Sequence, residues 1–131
     1  METTNNQLLE SINNSFQKIS DELARPKEDI VGMSVCGITK NTIGNLLRLY
    51  LNGRNIQVRD GESTNEMMKT CIAENKDFAQ FDLSPLACRC DPSNDSMSYC
   101  IGEESIYSCF KLLESIKKFV YGELKISALQ N

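Results

Sequence analysis

Residues 105–125 read SIYSCFKLLESIKKFVYGELK. Ile106, Cys109, Phe110, Leu113, Ile116, Val120 and Leu124 recur at steps of three and four, with Leu112 and Phe119 at the flanks. That period puts the apolar side chains on one stripe of an α-helix and the charged ones away from it. The helix is expected to start near Tyr99 to Gly102 and to reach Lys125. Glu103 and Glu104 fall in its first turn, where the helix dipole favours negative charge; the alternative use of this pair is acid–base chemistry. Lys117 and Lys118 lie off the main stripe and are expected to be solvated.

The same signature appears upstream. Leu8, Leu9, Ile12, Phe16, Ile19 and Leu23 form one stripe of a helix over residues 5–24. Thr4 and Gln7 fit a capping box at its start, and Pro26 ends it. Pro26 also suits the first turn of a second helix, with Glu28 and Asp29 near the positive end. That helix is expected to run to Asn52 and to stop at Gly53. It contains Gly32, Gly37 and Gly44, each costing about 1 kcal/mol relative to alanine. Such a run signals either a weak or kinked helix or the close approach of another helix, a dimer partner included. Asp60-Gly61 marks a turn. Ser63 and Glu66 form a second capping box, opening a helix through Met67, Met68, Cys71 and Ile72. A short helix at residues 77–81 precedes Pro85. Ile56-Gln57-Val58 is too short to carry a sheet. The pattern predicts an all-α, antiparallel up-and-down bundle of four or five helices.

Composition agrees. With 131 residues, 40% hydrophobic and 24% charged, the chain fits one globular domain with a core of its own. A net charge of -4 argues against broad binding to duplex nucleic acid. There is no apolar run of about 18 residues, so no membrane span is expected. The first residues lack the basic and apolar regions of a signal peptide, so the expected location is cytoplasmic. The six cysteines are then expected to be reduced and metal-free. Cys36, Cys71 and Cys109 fall in helical patterns as small buried hydrophobes. Cys88, Cys90 and Cys100 lie in a polar, turn-rich stretch, where a four-thiolate zinc site with Cys109 or a Cys90–Cys100 disulfide is the chemical alternative to ordinary thiols.

The chain has no histidine. That removes Ser-His-Asp and Cys-His mechanisms and the histidine general base. No Walker loop, GxGxxG or HExxH motif is present, and no cofactor is implied. One polar run stands out. Thr39-Lys40-Asn41-Thr42 interrupts the second helix and is followed by Asn45 and Arg48, with Arg54 and Arg59 in the next loop. Lys40, Asn41, Asn45, Arg48, Arg54 and Arg59 are therefore the candidate ligand-binding set, since arginine suits phosphate. The competing reading is a solvated helix face.

The order of elements adds a resemblance. NTIGNLLRLYLNGRNIQV (41–58) leads through DGES (60–63) to TNEMMKTCIAE (64–74), then NKDFAQFDLSPLACR (75–89) and the closing helix quoted above. This succession resembles the HEPN family of small helical domains over residues 26–126, with residues 1–25 as an additional N-terminal helix. The resemblance implies an antiparallel bundle, often homodimeric, working near nucleotides or RNA. It also implies, for some members, a nucleotidyltransferase partner in a toxin–antitoxin arrangement. Other members cleave RNA through an Arg…His motif on the closing helix. Here that helix carries Lys111, Lys117 and Lys118 but neither arginine nor histidine, and the loop before the third helix holds Gly61, Glu62 and Ser63. The expected function is thus a non-catalytic binding module with a protein partner or a second copy of itself, and nucleotide or RNA as ligand. An atypical ribonuclease built on lysine, arginine and carboxylates is the enzymatic alternative. A structural or regulatory bundle unrelated to HEPN is the other.

Overall fold

The computed structural model describes residues 5–26, 32–82 and 103–126. They form a bundle of four α-helices, α1 (Asn5–Leu23), α2 (Gly32–Gly53), α3 (Thr64–Glu74) and α4 (Glu103–Leu124), with a 3-10 turn at Lys76–Gln80. No strand occurs among the described residues, and no helix among them is long and apolar enough to cross a membrane.

The stripes read from the sequence are the faces that bury. Leu8, Ile12 and Ile19 of α1 are sealed in the core, with Leu9, Phe16 and Leu23 half-buried beside them. On α4, Cys109, Leu113, Ile116 and Val120 are inaccessible. Tyr121 joins them, outside the stripe the spacing picks out. Helix α2 occupies the centre and packs on α1, α3 and α4. Ile43, Leu46, Leu47, Leu49, Tyr50 and Leu51 are all closed off, the pattern of a helix surrounded on most sides. Helix α1 runs opposite to α4, because Asn13 meets Tyr121 while Phe16 meets Phe110. The C-terminal ends of α2 and α4 lie together, where Arg54 pairs with Glu123.

Helix α3 starts where the sequence places it. The Ser63 hydroxyl accepts from the Glu66 amide (3.1 Å), and the Glu66 carboxylate accepts from the Ser63 amide (3.2 Å). Met67, Met68 and Cys71 bury behind this cap. The following 3-10 turn delivers Phe78, fully buried, edge-on to Tyr50 at 4.6 Å and to Phe119 at 4.9 Å. Cys36, Cys71 and Cys109 are core side chains.

Two local expectations need correction. Gly53 does not stop α2; it is the last helical residue. The stop is Asn55, in the left-handed region at φ 61°. The Ile56 amide donates to the Leu51 carbonyl (2.9 Å) and the Asn55 amide to the Asn52 carbonyl (3.1 Å), a Schellman end. Gly53 sits against α4: a Cβ there would stand 2.6 Å from Leu124 Cδ2, so that side chain would have to shift to admit one. The second correction concerns the polar run. Thr39 and Thr42 are completely buried rather than solvated, and the Thr42 hydroxyl donates back to the Ile38 carbonyl at 2.7 Å. Of the glycines in α2, Gly44 lies where α3 comes close, a Cβ there standing 3.1 Å from Thr64 Oγ1.

Thr4 of the first capping box, the Glu28–Asp29 start of the second helix and the cysteines Cys88, Cys90 and Cys100 lie outside the described residues. So do the side chains of Glu103 and Glu104.

Candidate functional site

Along α4, positions 114, 117, 118, 121 and 122 repeat at three and four residues and share a face beside the apolar stripe. On that face α4 meets α1 through Phe16, and the two helices enclose an open cleft of about 440 Å³. Glu114, Lys117 and Lys118 line one part of it. Tyr121, Gly122 and Ile126 line the rest. The volume falls in the usual range for small-molecule sites.

Each wall has a local cause. Phe16 belongs to the α1 stripe but sits at its edge, half-buried, against Phe110 at 5.9 Å. Ile126 is brought in by the end of α4. Lys125 takes the left-handed conformation at φ 57°. The Ile126 amide then donates to the Tyr121 carbonyl (2.8 Å) and the Lys125 amide to the Gly122 carbonyl (3.3 Å). This second Schellman end folds Ile126 back beside Tyr121, the apolar contact that usually accompanies the motif.

Lys117 is the chemically distinctive group. Its Nζ lies 4.2 Å from the Phe16 ring centroid and 5.3 Å from that of Tyr121. An ammonium over ring faces is attracted by their quadrupoles. Lys117 is half-buried rather than solvated, which corrects the sequence reading. Burial holds its ammonium below the usual lysine range, and the nearby Glu114 carboxylate offsets part of that. Lys118 is exposed, as expected. Burial raises the Tyr121 phenol, whose hydroxyl donates to Asn13 Oδ1 at 3.4 Å. The Asn13 amide nitrogen is sealed from solvent and has no hydrogen-bond partner among the described residues. Buried donors are rarely left so.

The residues singled out from the sequence do not converge on this cleft. Asn41, Asn45 and Arg48 share one face of α2, four and three residues apart. Asn41 is exposed, while Lys40, Asn45 and Arg48 are half-buried. Asn45 faces α1, its Nδ2 donating to Ser11 Oγ at 3.5 Å. Arg54 is tied to the bundle end, 3.5 Å from Glu123 Oε1 and 5.2 Å over the Tyr50 ring. Arg59 pairs with Glu62 at 3.4 Å and with Glu66 at 3.5 Å, beside the α3 cap. The cleft residues escaped the sequence reading because Phe16 was assigned to the core and Lys117 to solvent. The available signal was the repeat of Glu114, Lys117, Lys118 and Tyr121 on one helical face.

No family model, curated protein or solved structure matches the chain.

Proposed function

We propose that this chain is a non-catalytic helical binding module of HEPN-like type, with the α1–α4 cleft as its ligand site. The observation that carries the reading is the lining of that cleft. Its aromatic walls and its lysines suit holding a ligand better than moving a proton through one. The carboxylates beside the other candidate residues have structural work: Glu66 caps α3, Glu62 pairs with Arg59, and Glu123 accepts from Asn75 at 2.8 Å while pairing with Arg54. The succession of elements supports the HEPN-like part of the proposal. The partner we propose is a protein, a nucleotidyltransferase or a second copy of this chain, with nucleotide or RNA as the wider ligand class. On α4, Tyr107 is the one large apolar side chain exposed among the described residues, and such a partner would cover it.

The test is a ribonuclease assay on structured and single-stranded RNA, with protein from a nuclease-deficient host. No turnover is expected. Without histidine, cleavage of the ribose phosphate would need a lysine or carboxylate shifted to near pH 7, and losing such assistance costs about 10²–10⁴-fold in rate. Robust cleavage that disappears in Lys111→Ala or Glu104→Ala would overturn the reading in favour of an atypical ribonuclease. Sedimentation velocity addresses the second copy. A dimer at micromolar concentration that Tyr107→Asp dissociates is expected, and a monomer throughout removes that partner.

A further inference from the structure

We propose that the α1–α4 cleft binds a small aromatic monocarboxylate, its carboxylate facing the lysine amines and its ring lying against Tyr121 and Ile126. This rests on the cleft being the ligand site and replaces nucleotide or RNA as the occupant of that cleft.

Three features of the cleft converge on that class. The first is charge. Lys117 and Lys118 set two ammonium groups against the single carboxylate of Glu114, leaving a net positive charge of about one unit. That matches a monoanion. A polyphosphate or a nucleic acid backbone would need several cations, and the chain as a whole carries -4. The second is the state of Lys117. Its ammonium is held against the faces of Phe16 and Tyr121 and is partly desolvated. An arriving carboxylate regains the charge-assisted hydrogen bonding that burial has taken away. The third is shape and hydrophobicity. Phe16, Tyr121 and Ile126 give an apolar lining, and Gly122 beside them adds no side chain, a Cβ there meeting nothing within 4 Å. A flat ring uses such a wall in offset or edge-on contact.

Gly122 also supplies a clean test. Helix interiors favour leucine over glycine, and the open space lets the new side chain grow into the cleft. Gly122→Leu should therefore block the site without lowering the melting temperature, which separates occlusion from misfolding.

The experiment is a calorimetric titration of the full chain with 2-naphthoate, with its neutral amide 2-naphthamide, and with adenosine monophosphate. For a ligand of this size, a dissociation constant on the order of 1 mM or tighter is expected for naphthoate. Lys117→Met and Lys118→Met keep the apolar stems, and each should weaken naphthoate by about tenfold or more. Gly122→Leu should abolish it. Circular dichroism and a melt of each variant verify the fold. Equal affinity for naphthamide and naphthoate overturns the monocarboxylate assignment and leaves the cleft as a binding site. Tighter binding of adenosine monophosphate overturns it in favour of a phosphate ligand. Binding of naphthoate that is unchanged in a folded Gly122→Leu overturns the location. No binding of any of the three overturns this inference, whereas the broader module reading falls only in the ribonuclease assay.

Discussion

Ser63 and Glu66 hold the start of α3 by exchanging hydrogen bonds, and this exchange has a pH signature. The bond from the Ser63 backbone amide, followed by that from its hydroxyl, holds the Glu66 carboxyl below its usual range. A carboxyl with a depressed folded pKa contributes stability above its unfolded pKa and loses it as the pH falls through the folded value. Ser63→Ala should cost about 1 kcal/mol near neutrality. The gap between wild type and variant should narrow in acid, as chemical denaturation at pH 7 and pH 3 would register. A constant gap would mean that the Ser63 hydroxyl does not stabilise the ionised Glu66 carboxyl, since the main-chain amide bond to Glu66 survives in the variant. Cys71 carries the opposite sign. Desolvation in the core pushes its thiol up to about 12. A group with a raised folded pKa adds stability below the unfolded value and loses it as the pH climbs toward the folded one. Cys71 should thus resist iodoacetamide at pH 8 in the folded protein and react once denaturant is added, because the thiolate is the nucleophile. Peptide mass mapping would read both states. Labelling of Cys71 without denaturant would show that α3 opens locally.

At the scale of the element, the two long helices α2 and α4 end in the same way, and their ends illustrate what the sequence makes legible. Periodicity exposes helices through their buried faces, so the stripes of α1 and α4 were readable, as was the Ser63 cap through its four-residue signature. The end of α2 departs from the sequence reading because glycine is the usual terminator, whereas the residue in the left-handed region is Asn55 and Gly53 is still helical. The cleft was harder still. It depends on α1 and α4 running side by side, and no local pattern states which helices will be neighbours. Thr39 and Thr42 were misassigned for the same reason: a polar residue on the central helix is buried by its surroundings, not by its own pattern. At the end of α4 the left-handed residue is Lys125, a side chain that pays for this conformation. Lys125→Gly should relieve about 1 kcal/mol of backbone cost, partly offset by losing a cation at the helix C-terminus, worth about 0.3–1 kcal/mol. A small rise in melting temperature is expected. A fall would show that the Lys125 side chain makes a stabilising contact.

For the whole molecule, the decisive question is whether α1 is part of the bundle or an attachment to it, since the HEPN-like core we propose begins only at Pro26. Packing favours the first answer. Leu8, Ile12 and Ile19 are at most 3% exposed, and α1 packs on the central helix α2. Burying a side chain of this kind is worth about 1.5–3 kcal/mol. For these three together, that is comparable with the whole stability of an ordinary domain, about 5–15 kcal/mol. Ordering α1 costs chain entropy in return. Removing α1 does more than release that term, because it uncovers the faces of α2 and α4 that α1 now shields. It also strips Phe16 from the Lys117 ammonium and Asn13 from the Tyr121 hydroxyl. A chain starting at Pro26 should therefore lose cooperative unfolding and expose apolar surface, visible as dye binding and a broadened melt. The cleft would vanish with it, so naphthoate binding should be lost in the same protein. A truncated chain that melts sharply near the wild-type temperature would make α1 an appendage, and the cleft would then have to be sought on α4 alone.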